Sequence, residues 1–343
     1  MERGDVSERL RVALDMNGPK EPLGNFTDIL ADSLERLGIC DVVRFETTEQ
    51  SGARVDAELS MRWLWRPMWR RSRGRCIDRL LPPVDVIHVS GTSTPPTRST
   101  PLIISVDDLR PLRDDAEDVQ RLAQLRRAVD RGARLVATSR IASLEVQRAL
   151  GLARENVVVV APPVAWDRAV TGGENIVVNL TGRTNELLTL APALSSLAAG
   201  RGARVVVLAS NEAAARIRHA GVAVSVEPRR AATATLETAR VVVHLTDGAR
   251  FPSFAVASMA AGVPVCATPT ELNRELLGGA AAFADEGDTE GFVATVSDCF
   301  ENEARRAVMS AAGRHRATDF SPGEAARSYA DLYADIARQR ARL

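Results

Sequence analysis

The chain has 343 residues, of which 45% are hydrophobic and 26% charged. That is the make-up of a globular protein long enough for two domains. Its 44 Lys+Arg are balanced by 44 Asp+Glu, which argues against a dedicated nucleic-acid binder, since such proteins show a basic excess.

Lys20 is the only lysine. A phosphate site in this chain is therefore expected to use Arg forks, backbone amides or helix ends. Cys40, Cys76, Cys266 and Cys299 form no Cys-x-x-Cys pair and no zinc spacing, and they read as reduced, structural residues. The charged N-terminus has no apolar core segment, so no signal peptide is expected. No run of about 18 apolar residues occurs, so no membrane span is expected, and the compartment implied is the cytoplasm.

Strand and helix patterns alternate along the chain, which predicts α/β layers with mainly parallel sheets. Leu10 to Leu14 is the first strand, and Asn17 to Gly24 a loop. An amphipathic helix over Phe26 to Leu37 carries Phe26, Ile29, Leu30, Leu34 and Leu37 on one stripe. Asp41 to Phe45 is a second strand. Met61 to Arg75 mixes Trp63, Trp65, Met68 and Trp69 with many Arg residues. Such a segment suits either a peripheral membrane or acceptor contact or a helix that buries its indole rings.

Further strands are predicted at Val84 to Ser90, Leu102 to Val106, Leu135 to Thr138 and Val157 to Val160. Helices are predicted over Ala116 to Arg131 and over Ile141 to Leu150, the latter with Ser139 as N-cap. Residues 164–175 look like a linker, after which the pattern restarts. Its strands are Ile176 to Leu180, Val205 to Ala209, Val222 to Val226 and Val241 to Leu245, separated by helices. The remainder is mostly helical from Thr289 through Leu332. The expected domains are 1–168 and 169–320, with a last helical segment, 321–343, crossing back to the first.

The densest signal runs from Gly248 to Val265, as loop, small-residue helix and strand. Ala and Met are good helix formers. Gly262 suits a left-handed helix stop, and Pro264 follows it. This segment resembles the donor-binding signature of family 4 glycosyltransferases, Glu-Gly-Phe-Gly-Leu-Pro-x-x-Glu-Ala-Met-Ala-x-Gly-x-Pro-Val. Phe251, Met259, Ala260, Gly262, Pro264 and Val265 fit it, whereas the two glutamate positions hold Ala249 and Ala257.

The resemblance extends over most of the chain. Leu14 to Asn17 through Gly24 resembles the first strand and Gly-rich loop of the family, which approaches the donor phosphates and the acceptor. Asp85 to His88 resembles its Asp-x-x-His strand end. Val106-Asp107-Asp108-Leu109 resembles a Val-His-Asp-Leu turn in which His lies near the donor sugar, with Asp107 in place of that His. Leu180 to Asn185 resembles a turn containing Arg-Lys-Asn, with Thr184 where the family keeps Lys. Glu227-Pro-Arg229-Arg230 stands where relatives place a loop over the donor base. Glu275 matches a Pro-Glu-Val element or is an ordinary helix residue.

The resemblance implies the GT-B architecture, two Rossmann-like domains facing each other across a cleft. It implies a retaining, metal-independent transfer of sugar from a nucleotide-diphosphate donor to an acceptor not specified by the sequence. Asp107 and His88 are the expected catalytic residues. Gly24, Gly182, Arg183, Asp247, Arg250, Pro252, Ser253 and Phe254 are the expected donor-binding residues. The nucleotide sugar is a substrate, and no other cofactor is expected. Loss of both glutamates, the Lys and the His also fits a degenerate accessory subunit, working with a partner transferase or as a homodimer. A sugar-nucleotide epimerase on the same architecture has no positive support in these residues.

Overall fold

The computed structural model describes residues 9–17, 20–21, 24–46, 55–57, 68–69, 75–90, 94–106, 119–285 and 287–341. Two compact units are present. The first comprises residues 1–20, 25–163 and 322–343, and the second comprises 164–321 together with 21–24. Each is built on a six-stranded sheet whose paired strands are all parallel.

In the first unit the strands are β1 (Leu10–Asp15), β4 (Cys40–Phe45), β5 (Val86–Ser90), β6 (Leu102–Val106), β7 (Arg134–Ala137) and β8 (Val157–Val159). Two short strands, β2 (Lys20–Glu21) and β3 (Gly24–Asn25), pair with each other. The helices are α1 (Phe26–Arg36), α2 (Val119–Asp130), α3 (Arg140–Leu150) and, far along the chain, α11 (Pro322–Ala341). The sheet order is β4-β1-β5-β6-β7-β8. Successive strand side chains point to opposite faces, and both faces are buried. Ala13, Ile87, Ile104 and Leu135 join one core with Trp69, Ile77 and Val146. Val12, Leu14, Val86 and Ile103 join the other with Phe26, Leu30, Leu34, Tyr329 and Tyr333. This doubly covered pattern is what near-continuous apolar strands require.

Local chemistry sets the helix ends. Asn25 caps α1 by accepting from the Thr27 N–H at 3.0 Å. Ser139 caps α3 through the Ala142 N–H at 2.9 Å, as expected from the sequence. Of the Trp- and Arg-rich segment, only Met68, Trp69 and Arg75 lie within the described residues. Trp69 is buried, and its indole N–H donates to the Arg75 carbonyl at 3.0 Å. That indole therefore serves packing; Trp63 and Trp65 lie outside the described residues.

The second unit has strands β9 (Asn175–Thr181), β10 (Val205–Ala209), β11 (Ser225–Pro228), β12 (Ala239–Thr246), β13 (Val265–Ala267) and β14 (Ala282–Phe283). Its helices are α4 (Thr184–Ala199), α5 (Asn211–Ala220), α6 (Ala232–Leu236), α7 (Ser253–Ala260), α8 (Glu271–Leu277), α9 (Thr289–Glu301) and α10 (Glu303–Ala317). The order β11-β10-β9-β12-β13-β14 is the 3-2-1-4-5-6 order of the Rossmann fold. The strand predicted at Val222 to Val226 forms three residues later. Gly221 ends α5 in the left-handed conformation, and Val224 turns back to the Val222 carbonyl, so pairing starts only at Ser225.

Helix α7 is buried on all sides, with Phe254 through Met259 all inaccessible, so it behaves as a core element. It ends in a Schellman motif. Gly262 has φ +81, its N–H reaches the Met259 carbonyl, and the Val263 N–H reaches the Ser258 carbonyl. The left-handed stop predicted for Gly262 is present. The four cysteines are unpaired, and Cys40, Cys266 and Cys299 are buried. Among the described residues no helix is long and apolar enough to cross a membrane.

Candidate functional site

In an open parallel sheet, ligands bind beyond the strand C-termini where the strand order reverses. In the second unit that point lies between β9 and β12, which pair from Ala239 and Asn175 through Thr246 and Thr181. The turn after β9 holds Gly182 and Arg183. The loop after β12 holds Asp247, Gly248, Ala249, Arg250, Phe251 and Pro252, and then α7 begins. Gly182, Arg183, Asp247, Arg250, Pro252, Ser253 and Phe254 therefore meet at the one place in this sheet that the topology marks for a ligand.

The two loops are tied together. The Asp247 N–H donates to the Thr181 carbonyl at 3.1 Å, and the Asp247 carboxylate accepts the Ala249 N–H at 3.0 Å. Gly182 has φ +73, and a Cβ there would sit 2.6 Å from Asp247 Oδ2. Only Gly fits both the backbone conformation and the approach of the carboxylate. Gly182→Ala is expected to cost about 1–3 kcal/mol of stability by combining left-handed strain with the clash. A thermal midpoint equal to that of the parent would contradict this reading.

Arg183 stands at the N-cap position of α4, half-buried, with Nη1 3.0 Å from Glu186 Oε2. Arg250 is exposed. Arg229 donates to the Leu180 carbonyl at 2.6 Å and to the Thr181 hydroxyl. It thus braces the end of β9, whereas the resemblance gives the Glu227 to Arg230 segment a place over the donor base. At α7, the Ser253 N–H returns to the Phe251 carbonyl, and the Val256 N–H starts the ladder on the Pro252 carbonyl. The amides between them, of Phe254 and Ala255, belong to a first turn that lacks intrahelical acceptors. Such a helix start favours an anion.

A polar layer supports the loop from below. The Asn273 amide donates to the Thr268 carbonyl at 2.9 Å and to the hydroxyls of Thr246 and Thr268 at 3.3 and 3.2 Å. Thr270 caps α8 through the Asn273 N–H, and a Cβ on Gly248 (φ +67) would meet its hydroxyl at 2.8 Å. Beneath that layer, the Asn179 amide lies 3.0 Å from His244 Nδ1. Burial, aided by the positive charge of Arg229, lowers the pKa of His244 to about 3. Sequence reasoning did not single out Thr246, Thr268, Thr270 or Asn273. Each is a small polar residue in an ordinary-looking stretch, and their common location is a product of the fold. Glu275 lies on α8, where its carbonyl accepts from Arg316.

The residues expected to act from the first unit are placed differently. Asp107 lies outside the described residues. Gly24 lies in β3, next to Asn25, whose amide donates to the Met16 carbonyl at 2.9 Å. His88 is 2% exposed. Its Nδ1 lies 2.7 Å from the Tyr333 hydroxyl and its Nε2 2.8 Å from Ser105 Oγ. Burial lowers its pKa to about 3. Both nitrogens are spent inside the core, so the ring has no free edge for a reacting group, and His88 is a packing residue here.

Ala249 and Ala257, at the positions of the two signature glutamates, are 1% and 0% exposed. Thr184, at the Lys position, is also buried. Among the described residues no three His, Cys, Asp or Glu side chains gather as a metal set.

No family model matches the chain, and no curated protein matches it. Solved structures match its fold. HepE of Anabaena, crystallised with UDP and glucose, matches with a TM-score of 0.69 at 14% identity, over 95% of this chain and 100% of that one. WaaG, a glycosyltransferase involved in lipopolysaccharide biosynthesis, matches with a TM-score of 0.69 at 12% identity, over 94% and 99%. A sucrose-phosphate synthase from Thermosynechococcus elongatus matches with a TM-score of 0.66 at 13% identity, over 96% and 99%. Such low identities speak for the fold alone, and the fold of the chain is that of the GT-B glycosyltransferases.

Proposed function

We propose that the chain is a glycosyltransferase that takes a sugar from a nucleotide-diphosphate donor, with retention and without a metal, in the manner of family 4. One observation carries this reading: Gly182, Arg183, Asp247, Arg250 and the start of α7 converge at the strand-order reversal of a 3-2-1-4-5-6 sheet. Two Arg side chains and first-turn amides suit a diphosphate. HepE was crystallised with UDP, which makes UDP the natural probe.

The diphosphate leaving group is stabilised electrostatically by these fixed donors. Asp107, the residue that follows β6 in the sequence, is the group proposed to face the developing positive charge of the sugar. Arg183→Ala and Arg250→Ala should each weaken UDP binding roughly tenfold or more, by loss of a charge-assisted contact of about 1.5–3 kcal/mol. Asp107→Asn should lower turnover about tenfold, equal to about 1.4 kcal/mol of transition-state stabilisation. Calorimetry and a donor-hydrolysis assay read these effects. Unchanged UDP affinity in both Arg variants would overturn the site.

The buried Ala249 and Ala257 favour a second reading, a donor-binding chain that has lost catalysis. Neither methyl group can hold ribose hydroxyls or face the donor sugar, as the glutamates of the signature do by resemblance. On this reading the purified chain binds UDP, turns over no nucleotide sugar, and raises the activity of a partner transferase. Turnover by the isolated chain would sink it.

A further inference from the structure

The first unit carries a second polar cavity that the proposed transfer reaction does not use. It has a volume of about 360 Å³ and is lined by the 94–102 segment, one face of α2, the start of β7 and the end of α11. Its position is at the N-terminal edge of the sheet, where β6 begins at Leu102 and β7 at Arg134. In this unit it lies at the opposite end of the strands from the C-terminal loops, where open α/β sheets bind their usual ligands.

Four lining residues are arginines: Arg98, Arg131, Arg134 and Arg340. None of the described lining residues is an Asp or Glu. Arg134 is anchored, its Nη1 donating to Asn156 Oδ1 at 3.1 Å and to the Glu155 carbonyl at 3.2 Å. Among the described residues, no carboxylate lies within ion-pair distance of the Arg98, Arg131 or Arg340 side chains. Other arginines of the described surface do have a carboxylate partner, as Arg126 has Asp130 and Arg316 has Asp319. Three guanidinium groups around one concavity repel one another unless an anion joins them.

The loop that carries Arg98 is held in place. Asp78 Oδ2 accepts the backbone N–H groups of Arg98, Ser99 and Thr100 at 2.8, 2.9 and 3.3 Å. The Pro96 carbonyl accepts the Ile77 N–H at 2.9 Å. Thr94, 8% exposed, also lines the cavity, and its hydroxyl is buried with no hydrogen-bond partner among the described residues. An unpaired buried hydroxyl is costly and is an acceptor and donor in waiting. Pro95, Pro101 and Ile336 give the cavity apolar walls. Its volume falls within the range of about 300–1,000 Å³ typical of small-molecule sites.

We propose that this cavity is a binding site for a phosphate-bearing ligand, with Arg98 and Arg131 from the body of the first unit and Arg340 from α11 gripping one phosphate group. Guanidinium forks match phosphate geometry, and the apolar walls take the organic part of the ligand. Because Arg340 sits near the end of α11, the ligand fastens that helix to the body of the unit. Occupancy therefore raises the resistance of α11 to local unfolding. The phosphate group belongs either to a soluble organophosphate or to the headgroup of an anionic lipid.

The full chain is titrated at low ionic strength, where exposed charges are least screened, with glycerol 3-phosphate as one probe. Vesicles of phosphatidylglycerol, against vesicles of phosphatidylcholine, are the other. Arg131→Gln and Arg340→Gln are exposed changes whose unliganded thermal midpoints should match that of the parent. Each is expected to weaken binding roughly tenfold, equal to about 1.4 kcal/mol, while Arg183→Ala and Arg250→Ala leave this binding unchanged. Saturation by glycerol 3-phosphate assigns the soluble source. Binding to the anionic vesicles alone, lost in the two Gln variants, assigns the headgroup. Binding of neither probe, or binding that survives Arg131→Gln and Arg340→Gln together, overturns the site. Loss through Arg183→Ala instead would place the anion at the second unit.

Discussion

Tyr333→Ala is expected to destabilise the first unit by about 3–5 kcal/mol, the range for truncating a large buried aromatic residue. Tyr333 is fully buried in the core that α11 shares with α1 and β1. Its ring lies 5.8 Å from that of His88 and 6.0 Å from that of Tyr329, and His88 stacks on Tyr329 at 5.3 Å. Burial pushes the Tyr333 hydroxyl well above its ordinary pKa, so the group stays protonated. A neutral imidazole offers one donor and one acceptor. Of the two hydroxyls on His88, one donates and the other accepts.

Removing the Tyr333 side chain opens a cavity and strands one imidazole nitrogen. Tyr333→Phe keeps the ring and strands the nitrogen alone, at an expected cost of about 1–3 kcal/mol. Urea unfolding followed by near-ultraviolet circular dichroism reads both. A midpoint for Tyr333→Ala equal to that of Tyr333→Phe would mean that the ring contributes little beyond its hydroxyl.

Acidification is expected to weaken both units before most carboxylates titrate. His88 and His244 each have a folded pKa lowered to about 3, by burial first and, for His244, by Arg229 as well. An unfolded histidine titrates near 6.5. Between those values the unfolded chain holds a proton that the folded chain lacks. Stability is therefore complete above about pH 6.5 and is lost as pH falls below it. At pH 5 the loss is about 2 kcal/mol for each histidine. The two residues belong to different units, so the unfolding transition of each unit carries its own share. His88→Gln should flatten the fall between pH 7.5 and pH 5 for the first unit and leave that of the second unchanged. If His88→Gln keeps the full acid sensitivity of the parent in the first unit, other groups carry it.

The strands were legible in the sequence wherever burial on both faces makes a continuous apolar run. Leu102–Val106 and Val205–Ala209 form over the residues their composition indicates. Helix stops were legible through backbone chemistry, as at Gly262. The start of β11 was not, because Val222 and Val224 are apolar but occupy a turn, and local hydropathy does not distinguish the two. For His88, a strand-end position beside the expected ligand suggested chemistry. One of its two partners, Tyr333, is 245 residues away, and no local pattern announces a contact at that separation. The Arg-lined cavity was hidden for the same reason: Arg98, Arg131 and Arg340 come from three distant segments. The placement of the candidate residues of the second unit was the most legible, because those glycines and arginines follow two strands directly, and the strand order brings those strands side by side.

The return of α11 to the first unit has a consequence for how the chain is made on the ribosome. Synthesis proceeds from the N-terminus, and domains tend to fold as units while it does. The second unit draws on residues up to 321 and has all of them before α11 has been translated. The first unit begins earlier in the chain than the second yet lacks Tyr329, Tyr333 and Ile336 of its own core until translation passes them. The unit encoded first is thus finished last. Until then the apolar wall formed by Val12, Leu14, Phe26 and Leu30 lacks the α11 side chains that complete its core, so the nascent chain carries uncovered apolar surface for that interval.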